Sequence, residues 1–311
     1  MIFPKKPQLL YAPMLATFGG GSANGFKSAG VAAPDEFFSF NAFSSMSIVS
    51  TIASNSGYHT TQSIKDIIFT PDGMTCFTMP YGSGNHPISK MSLSTAWDLR
   101  STTSTTNYTQ WTNNGNYETI WCFSADGLHF VAGSRTVAHH YILTSAFDLS
   151  SVTNVNAYYD SMSLSGGAQG CGYSKDGSIF WYYNRNNPDL IVENLSTPFA
   201  LGSASSNSSY TRNSWNGYGT TTNDKNSYGH YMSGDGTSIA TIASFQSSTI
   251  RYHNMTTPYN FNSIIQSTNI SYSPISGMST QQMGLAITPD YIYFADEYGS
   301  GNIRMYSATI T

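Results

Sequence analysis

The sequence predicts an all-β chain, a β-propeller of about five four-stranded blades behind an extended N-terminal arm, with six blades as the alternative. Three observations carry this. A turn motif recurs at near-constant spacing, a second motif follows it in fixed order, and no segment sustains apolar residues at helical spacing.

The turn motif is an Asp-Gly pair set between two apolar, aromatic-rich runs, a strong local sign of a hairpin. It reads Ile67-Ile68-Phe69-Thr70-Pro71-Asp72-Gly73, Trp121-Cys122-Phe123-Ser124-Ala125-Asp126-Gly127 and Cys171-Gly172-Tyr173-Ser174-Lys175-Asp176-Gly177. It continues as His230-Tyr231-Met232-Ser233-Gly234-Asp235-Gly236 and, with the glycine lost, Leu285-Ala286-Ile287-Thr288-Pro289-Asp290-Tyr291. The aspartates stand at 72, 126, 176, 235 and 290, intervals of 54, 50, 59 and 55 residues, about one four-stranded unit each. Both residues of each pair are expected at φ > 0, as a two-residue hairpin loop requires.

The second motif reads Leu93-Ser94-Thr95-Ala96-Trp97-Asp98-Leu99, Leu143-Thr144-Ser145-Ala146-Phe147-Asp148-Leu149, Leu195-Ser196-Thr197-Pro198-Phe199-Ala200-Leu201 and Met255-Thr256-Thr257-Pro258-Tyr259-Asn260-Phe261. A degenerate copy spans Phe43 to Val49. Two motifs in fixed order give a blade grammar in which the Asp-Gly hairpin joins the second and third strands and the second motif leads from the fourth strand into the next blade. The aromatic residue of the second motif is expected to pack between blades. Runs such as Ile67 to Phe69 lack alternation, as strands covered on both faces do. One excess remains: Phe37 to Phe43 reads as a fourth strand, while Asn302 to Thr309 already supplies one for the last unit.

These hairpins and the segments after them resemble the propeller repeats of tailed-bacteriophage virion proteins and of bacterial surface proteins, over residues 37 to 311. The segment Leu10-Tyr11-Ala12-Pro13-Met14-Leu15, with Phe18-Gly19-Gly20-Gly21 behind it, resembles the leading segments of marine tailed-phage structural proteins. The resemblance implies a virion component, a non-enzymatic tail, fibre or capsid-surface propeller for adhesion, receptor or glycan binding, or decoration. Its expected location is the virion surface and its expected partners are other virion proteins or further copies of itself. The alternatives are a bacterial surface or secreted lectin-like propeller and a glycoside-cleaving enzyme.

Charge and composition narrow the chemistry. The net charge is −4 and the thirteen Lys and Arg residues form no cluster that could neutralise a row of phosphates, so nucleic acid is not an expected partner. No run of 18 apolar residues is present, so no membrane-spanning helix is expected. Cys76, Cys122 and Cys171 are widely separated, without the spacing of a metal or redox motif, and read as buried thiols. Lys5 and Lys6 ahead of Leu9 to Leu15 faintly suggest a leader peptide, but Pro7, Gln8 and Pro13 interrupt the apolar run and favour an unprocessed arm.

No catalytic set, metal or cofactor is expected. A propeller glycosidase needs two or three carboxylates converging on the channel. Apart from those in the two motifs, the acids are Asp35, Glu36, Asp66, Glu118, Asp160, Asp189, Glu193, Asp224, Asp296 and Glu297, and they recur at no common blade position. The six arginines form no cluster for a substrate carboxylate, and His139 and His140 are consecutive in a strand, where neighbours point to opposite faces.

The repeats leave one face of the disc with uniform turns and the other with varied loops. The varied loops hold the ligand-binding candidates Tyr81, Trp111, Asn113, Arg185, Trp215, Tyr218 and Tyr298, aromatic and polar side chains suited to stacking and hydrogen bonding of a glycan or protein. Residues 1 to 36 form a separate arm. Its glycines leave the backbone too free to fold alone, while Leu10, Tyr11, Met14, Leu15 and Phe18 are too apolar for a solvated tail, so these five are the candidate anchor to an assembly.

Overall fold

The computed structural model describes residues 45–52, 64–80, 87–108, 120–152, 158–164, 167–184, 189–211, 230–233, 235–243, 249–271, 282–288, 291–296 and 303–309. The chain is all-β and a propeller. Four sheets are built from consecutive antiparallel strands: β2 (Ile64–Phe69) to β5 (Thr102–Tyr108), β6 (Ile120–Phe123) to β9 (Asp160–Ser163), β10 (Ala168–Tyr173) to β13 (Ala204–Thr211), and β14 (His230–Met232) to β17 (Ile264–Ser271). A further four-stranded sheet joins the two ends of the described chain in the order β18 (Gln282–Ile287), β19 (Tyr291–Asp296), β20 (Ile303–Thr309), β1 (Ser45–Ile52).

The first strand of each sheet is the inner one. β2 lies against β18, β6 against β10, β10 against β14 and β14 against β18. The first and second sheets meet through a core that includes Ile68, Phe77, Trp121 and Phe130, the second and third through Cys122, Val131, Tyr173 and Phe180, and the third and fourth through Trp181, Leu190, Ile239 and Phe261.

This order shifts the expected strand grammar by one position. The Asp-Gly hairpin joins the first and second strands of a sheet, and the second motif joins its third and fourth, as in β4 (Ile88–Leu93) to β5. The shift exchanges both pairs of connections at once, so the hairpins and the second motifs still share one end of their sheets. It also accounts for the excess strand. Ile303–Thr309 is the third strand of the closing sheet, not the fourth, and its partner on the outer edge is β1, from Ser45↔Thr309 to Ile52↔Ile303 with one bulge. Ser45 to Val49, expected as a degenerate turn, are the start of that strand. Phe37 to Phe43 lie outside the described residues.

The hairpin loop is longer than expected. Thr70 N–H donates to Thr75 O at 2.9 Å and Gly73 N–H to Thr70 O at 2.9 Å, so four residues separate the paired ends. Only the glycine is left-handed: Gly73, Gly127, Gly177 and Gly236 have φ of 69°, 72°, 71° and 72°, whereas no aspartate among the described residues does. The aspartate closes the turn with its side chain, Asp72 Oδ1 accepting from Thr70 Oγ1 at 2.7 Å and Met74 N at 3.0 Å. Asp126, Asp176 and Asp235 repeat the arrangement.

The two motifs are one device. Trp97, Phe147, Phe199 and Tyr259 have φ of 59°, 56°, 64° and 55°, a conformation that costs a side-chain-bearing residue about 1–2 kcal/mol. Each donates its N–H to the glycine carbonyl of its own sheet's hairpin, Trp97 to Gly73 at 2.8 Å, and lays its ring on that glycine. A Cβ on Gly73 would stand 2.3 Å from the indole. The glycine therefore serves both its own backbone and the ring above it. Trp97 is also buried in a core shared with Ala286, Tyr293 and Ile303 of the closing sheet, and its carbonyl accepts from Tyr293 Oη, so it does pack between blades.

Candidate functional site

The ligand candidates Tyr81, Trp111, Asn113, Arg185, Trp215, Tyr218 and Tyr298 lie outside the described residues, as do the arm residues Leu10, Tyr11, Met14, Leu15 and Phe18. The described sheets point elsewhere. In a repeat protein the copies act as controls, because whatever the fold demands recurs, and departures mark other demands.

The second sheet departs twice. At three register positions the first, third and fourth sheets carry Thr75, Ile179 and Ser238; Lys90, Val192 and Tyr252; and Thr106, Ser208 and Thr268. The second sheet carries His129, His140 and Asp160. The second departure is in length. From the end of the short 3-10 turn to the fourth-strand residue at this level there are five residues in the first, third and fourth sheets (101 to 106, 203 to 208, 263 to 268) and nine in the second (151 to 160). Four residues are inserted, and Tyr158 and Tyr159 close the insertion.

The three polar residues form one chain. His129 Nδ1 and His140 Nε2 are 2.9 Å apart, and His140 Nδ1 lies 3.0 Å from Asp160 Oδ1. The network fixes the tautomers: His140 donates through Nδ1–H to the carboxylate, so its Nε2 accepts from His129 Nδ1–H, leaving a lone pair on His129 Nε2. Burial lowers the basicity of both rings; the Asp160 carboxylate opposes this, and the facing His129 adds to it at His140. His129 stacks on Phe199 of the third sheet, with centroids 4.4 Å apart and planes 9° apart.

Asp160 has a structural task as well. In the first, second and fourth sheets the 3-10 turn after the second motif is capped by its own Asp98, Asp148 or Asn260, which accepts from the backbone N–H two residues on. The third sheet has Ala200 there, with no cap, and its orphaned Gly202 N–H donates instead to Asp160 Oδ2 of the second sheet at 3.1 Å. A cap missing in one blade is thus supplied by its neighbour. This accounts for Asp160 and for His140 beside it, not for His129 or the inserted tyrosines.

Those tyrosines are exposed. Tyr159 is 63 % and Tyr158 44 % accessible, and with Ile142 at 46 % and Leu128 at 37 % they put four of the six exposed large apolar side chains among the described residues on this one sheet. Tyr158 is stacked on His139 at 4.3 Å, and Tyr159 stands edge-on to His140 at 5.4 Å. The two rings straddle the sheet's outer edge, since His139 and His140 face opposite ways.

A second polar feature lies on the inner strands. Asp66 follows a bulge in β2 and accepts from Trp121 Nε1 of the next sheet at 2.9 Å and from Ile67 N at 2.8 Å. It keeps some solvent access, yet the dense protein around it desolvates the carboxyl and pushes its pKa up to about 7, against the lowering effect of its hydrogen bonds and of Lys65. A carboxyl in that range can exchange protons near neutrality. Among the described residues no group of three or more His, Cys, Asp or Glu is placed to hold a metal ion, and no helix is long and apolar enough to cross a membrane. Cys76, Cys122 and Cys171 are buried free thiols.

The histidine chain was hidden from the sequence because its members come from three strands. The signal was present once a register is assumed: with His129 opposite Ile142, His140 falls diagonal to His129 on the same face and Asp160 directly opposite His140.

No protein-family model matches the chain, and no curated protein matches it in sequence. Among solved structures it is similar to the Cps50 (Swd1) β-propeller domain of Myceliophteria thermophila, at 9 % identity and a TM-score of 0.40, over 81 % of this chain and 71 % of that one. It is also similar to a Bacteroides uniformis protein assigned as a 6-phosphogluconolactonase, at 15 % identity and a TM-score of 0.41, over 76 % of this chain and 64 % of that one. At such distances the fold rests on the strand order of the chain itself.

Proposed function

We propose that the chain is a non-enzymatic recognition and structural protein of a tailed-phage virion, a propeller displayed at the particle surface for adhesion or decoration. The single observation behind this reading is where the repeated polar residues are spent. The turn aspartates bind their own turns, Asp98, Asp148 and Asn260 cap their own 3-10 turns, and the second sheet, where an insertion departs from the repeat, offers exposed aromatic rings rather than a carboxylate pair. The virion setting comes from the resemblance of the repeats and of the arm.

In the same reading the five sheets are the full complement of blades, closed by β1, and the arm residues Leu10, Tyr11, Met14, Leu15 and Phe18 anchor the propeller to a neighbouring virion protein or to another copy. Mass spectrometry of purified particles is the test: the chain is expected among virion proteins, and its absence from every particle would remove the reading in favour of a bacterial surface or secreted propeller.

Asp66 supports the one enzymatic alternative, a glycoside-cleaving activity, because a carboxyl with a pKa near 7 suits an acid-base role. Turnover on a broad glycoside panel that persists through purification and falls in Asp66→Asn would establish it.

A further inference from the structure

We propose that the outer rim of the second sheet is a carbohydrate-binding site, in which Tyr159 stacks on the apolar face of a neutral pyranose and His129 Nε2 accepts a hydrogen bond from a sugar hydroxyl. The inference deepens the recognition role proposed above and rests on it only for its biological setting.

Two independent departures from the repeat coincide here, the four-residue insertion and His129, and the first, third and fourth sheets show that the fold needs neither. The insertion ends in a ring that is 63 % exposed on a sheet edge, held beside His140. Tyr158, stacked on His139, fixes the backbone next to Tyr159 and so lowers the entropy lost when a ligand orders that ring. The centroids of His129 and Tyr159 lie 5.1 and 5.4 Å from that of His140, so they are at most the sum of those distances apart, the reach of one or two sugar rings.

The chemistry of the rim selects the ligand. It offers acceptors, His129 Nε2 and the tyrosine hydroxyls, and His129, His140, Tyr158, Tyr159 and Asp160 include no Lys or Arg, which disfavours phosphate or carboxylate ligands. Aromatic rings beside an acid could also cage an organic cation. Here, however, both Asp160 oxygens accept from partners within the protein, His140 Nδ1 and Gly202 N, and the side chain is only 19 % accessible, so the carboxylate is not an open wall of such a cage. A ligand with apolar C–H faces and many hydroxyl donors fits what remains. The patch, a handful of side chains, is small beside the roughly 800 Å² that each partner of a stable protein interface covers.

The test is a neutral-glycan array followed by calorimetry with the best ligand, on the full chain, with choline and inorganic phosphate as competing probes. Tyr159→Ala is expected to weaken binding at least tenfold with the melting temperature unchanged, Tyr159→Phe to keep most of it, and His129→Gln to weaken it by a smaller factor. Four results would overturn the site: no neutral glycan bound by the wild type, binding unchanged in Tyr159→Ala, binding of choline or phosphate only, or loss of binding confined to Trp215→Ala and Tyr218→Ala. None of these bears on whether the chain is found in virions, so the two readings fail separately.

Discussion

The four sheets of consecutive strands and the closing sheet solve the same problem in different ways. Each of the first four ties its third-to-fourth connection onto its own hairpin, through a left-handed aromatic residue lying on a left-handed glycine. The closing sheet has neither. Its hairpin lacks the glycine and is shorter, with Thr288 N–H donating to Tyr291 O at 2.8 Å across two residues, and its fourth strand comes from the other end of the chain. Local latches therefore secure four sheets, and a contact between distant segments secures the last. The closing pair costs more loop entropy to form, so it is where the ring should open first.

The largest effect should come from removing that pair. Deletion of residues 1–36 is expected to leave a folded propeller, because β1 begins at Ser45. Deletion of residues 1–52 strips β1 from β20, exposes a sheet edge and should give loss of cooperative melting or self-association through the bare edge. Circular dichroism and light scattering on the two truncations check this. A cooperative, monomeric 53–311 fragment would show that the closing strand is dispensable.

Next in size is the latch. Trp97→Ala should cost about 3–5 kcal/mol, the range for truncating a buried large aromatic. Gly73→Ala should cost at least about 2 kcal/mol, since it places a Cβ in a left-handed residue and against the indole. In the double variant the ring that the new methyl would strike is gone, so the two costs should add to less than their sum when measured by urea unfolding. Strict additivity would mean that ring and glycine act separately.

The pH dependence of stability separates the inner strands from the rim. Asp66 has a raised pKa, about 7 against 3.8, so the folded chain holds its proton more tightly than the unfolded one, and its contribution, complete below about pH 4, is lost as pH rises through about 7. His129, His139 and His140 are shifted down by burial, so theirs is present above the unfolded value of 6.5 and lost as pH falls. Asp66→Asn should flatten the decline between about pH 4 and 7 and leave the acid-side loss in place. Melting temperatures across that range decide it, and an unchanged slope would show that Asp66 does not titrate there.

Much of this was legible from local sequence. The spacing of the Asp-Gly pairs and the order of the two motifs predict four-stranded repeats, and Ile67 to Phe69 announce strands covered on both faces. What failed did so where one local pattern fits two geometries. An Asp-Gly pair suits a two-residue loop with both residues left-handed, but the hydroxyl of Thr70 or Ser124 two residues before the aspartate favours a longer loop with a side-chain clasp. The strand grammar slipped by one because the second motif looks like a link between blades until Trp97 is seen bonded to Gly73 of its own sheet. The His129–His140–Asp160 chain could not be read at all without the register. Tyr159 gives no sign in isolation, and only the extra four residues relative to the sister repeats mark it.

The smallest effect would test the exchange of caps between neighbouring blades. Asp160→Ala removes the carboxylate that accepts from Gly202 N–H and from the buried His140 Nδ1–H; the cap's share of the cost should be about 1 kcal/mol, on top of the unpaired imidazole donor. Ala200 has φ −81° and ψ 103°, close to Asp98 at −103° and 99°, so an aspartate introduced there meets the geometry that the other copies use. Ala200→Asp alone should gain little, because Gly202 N–H is already taken and the new carboxylate would face Asp160. In the Asp160→Ala background the same substitution should recover the cap's share of the loss, since the N–H is then free and the repulsion gone. The coupling between the two, measured by chemical unfolding of the four variants, is expected to favour the double variant by roughly the value of one cap. Its absence would mean that Asp160 stabilises the seam through His140 and not through the neighbouring turn.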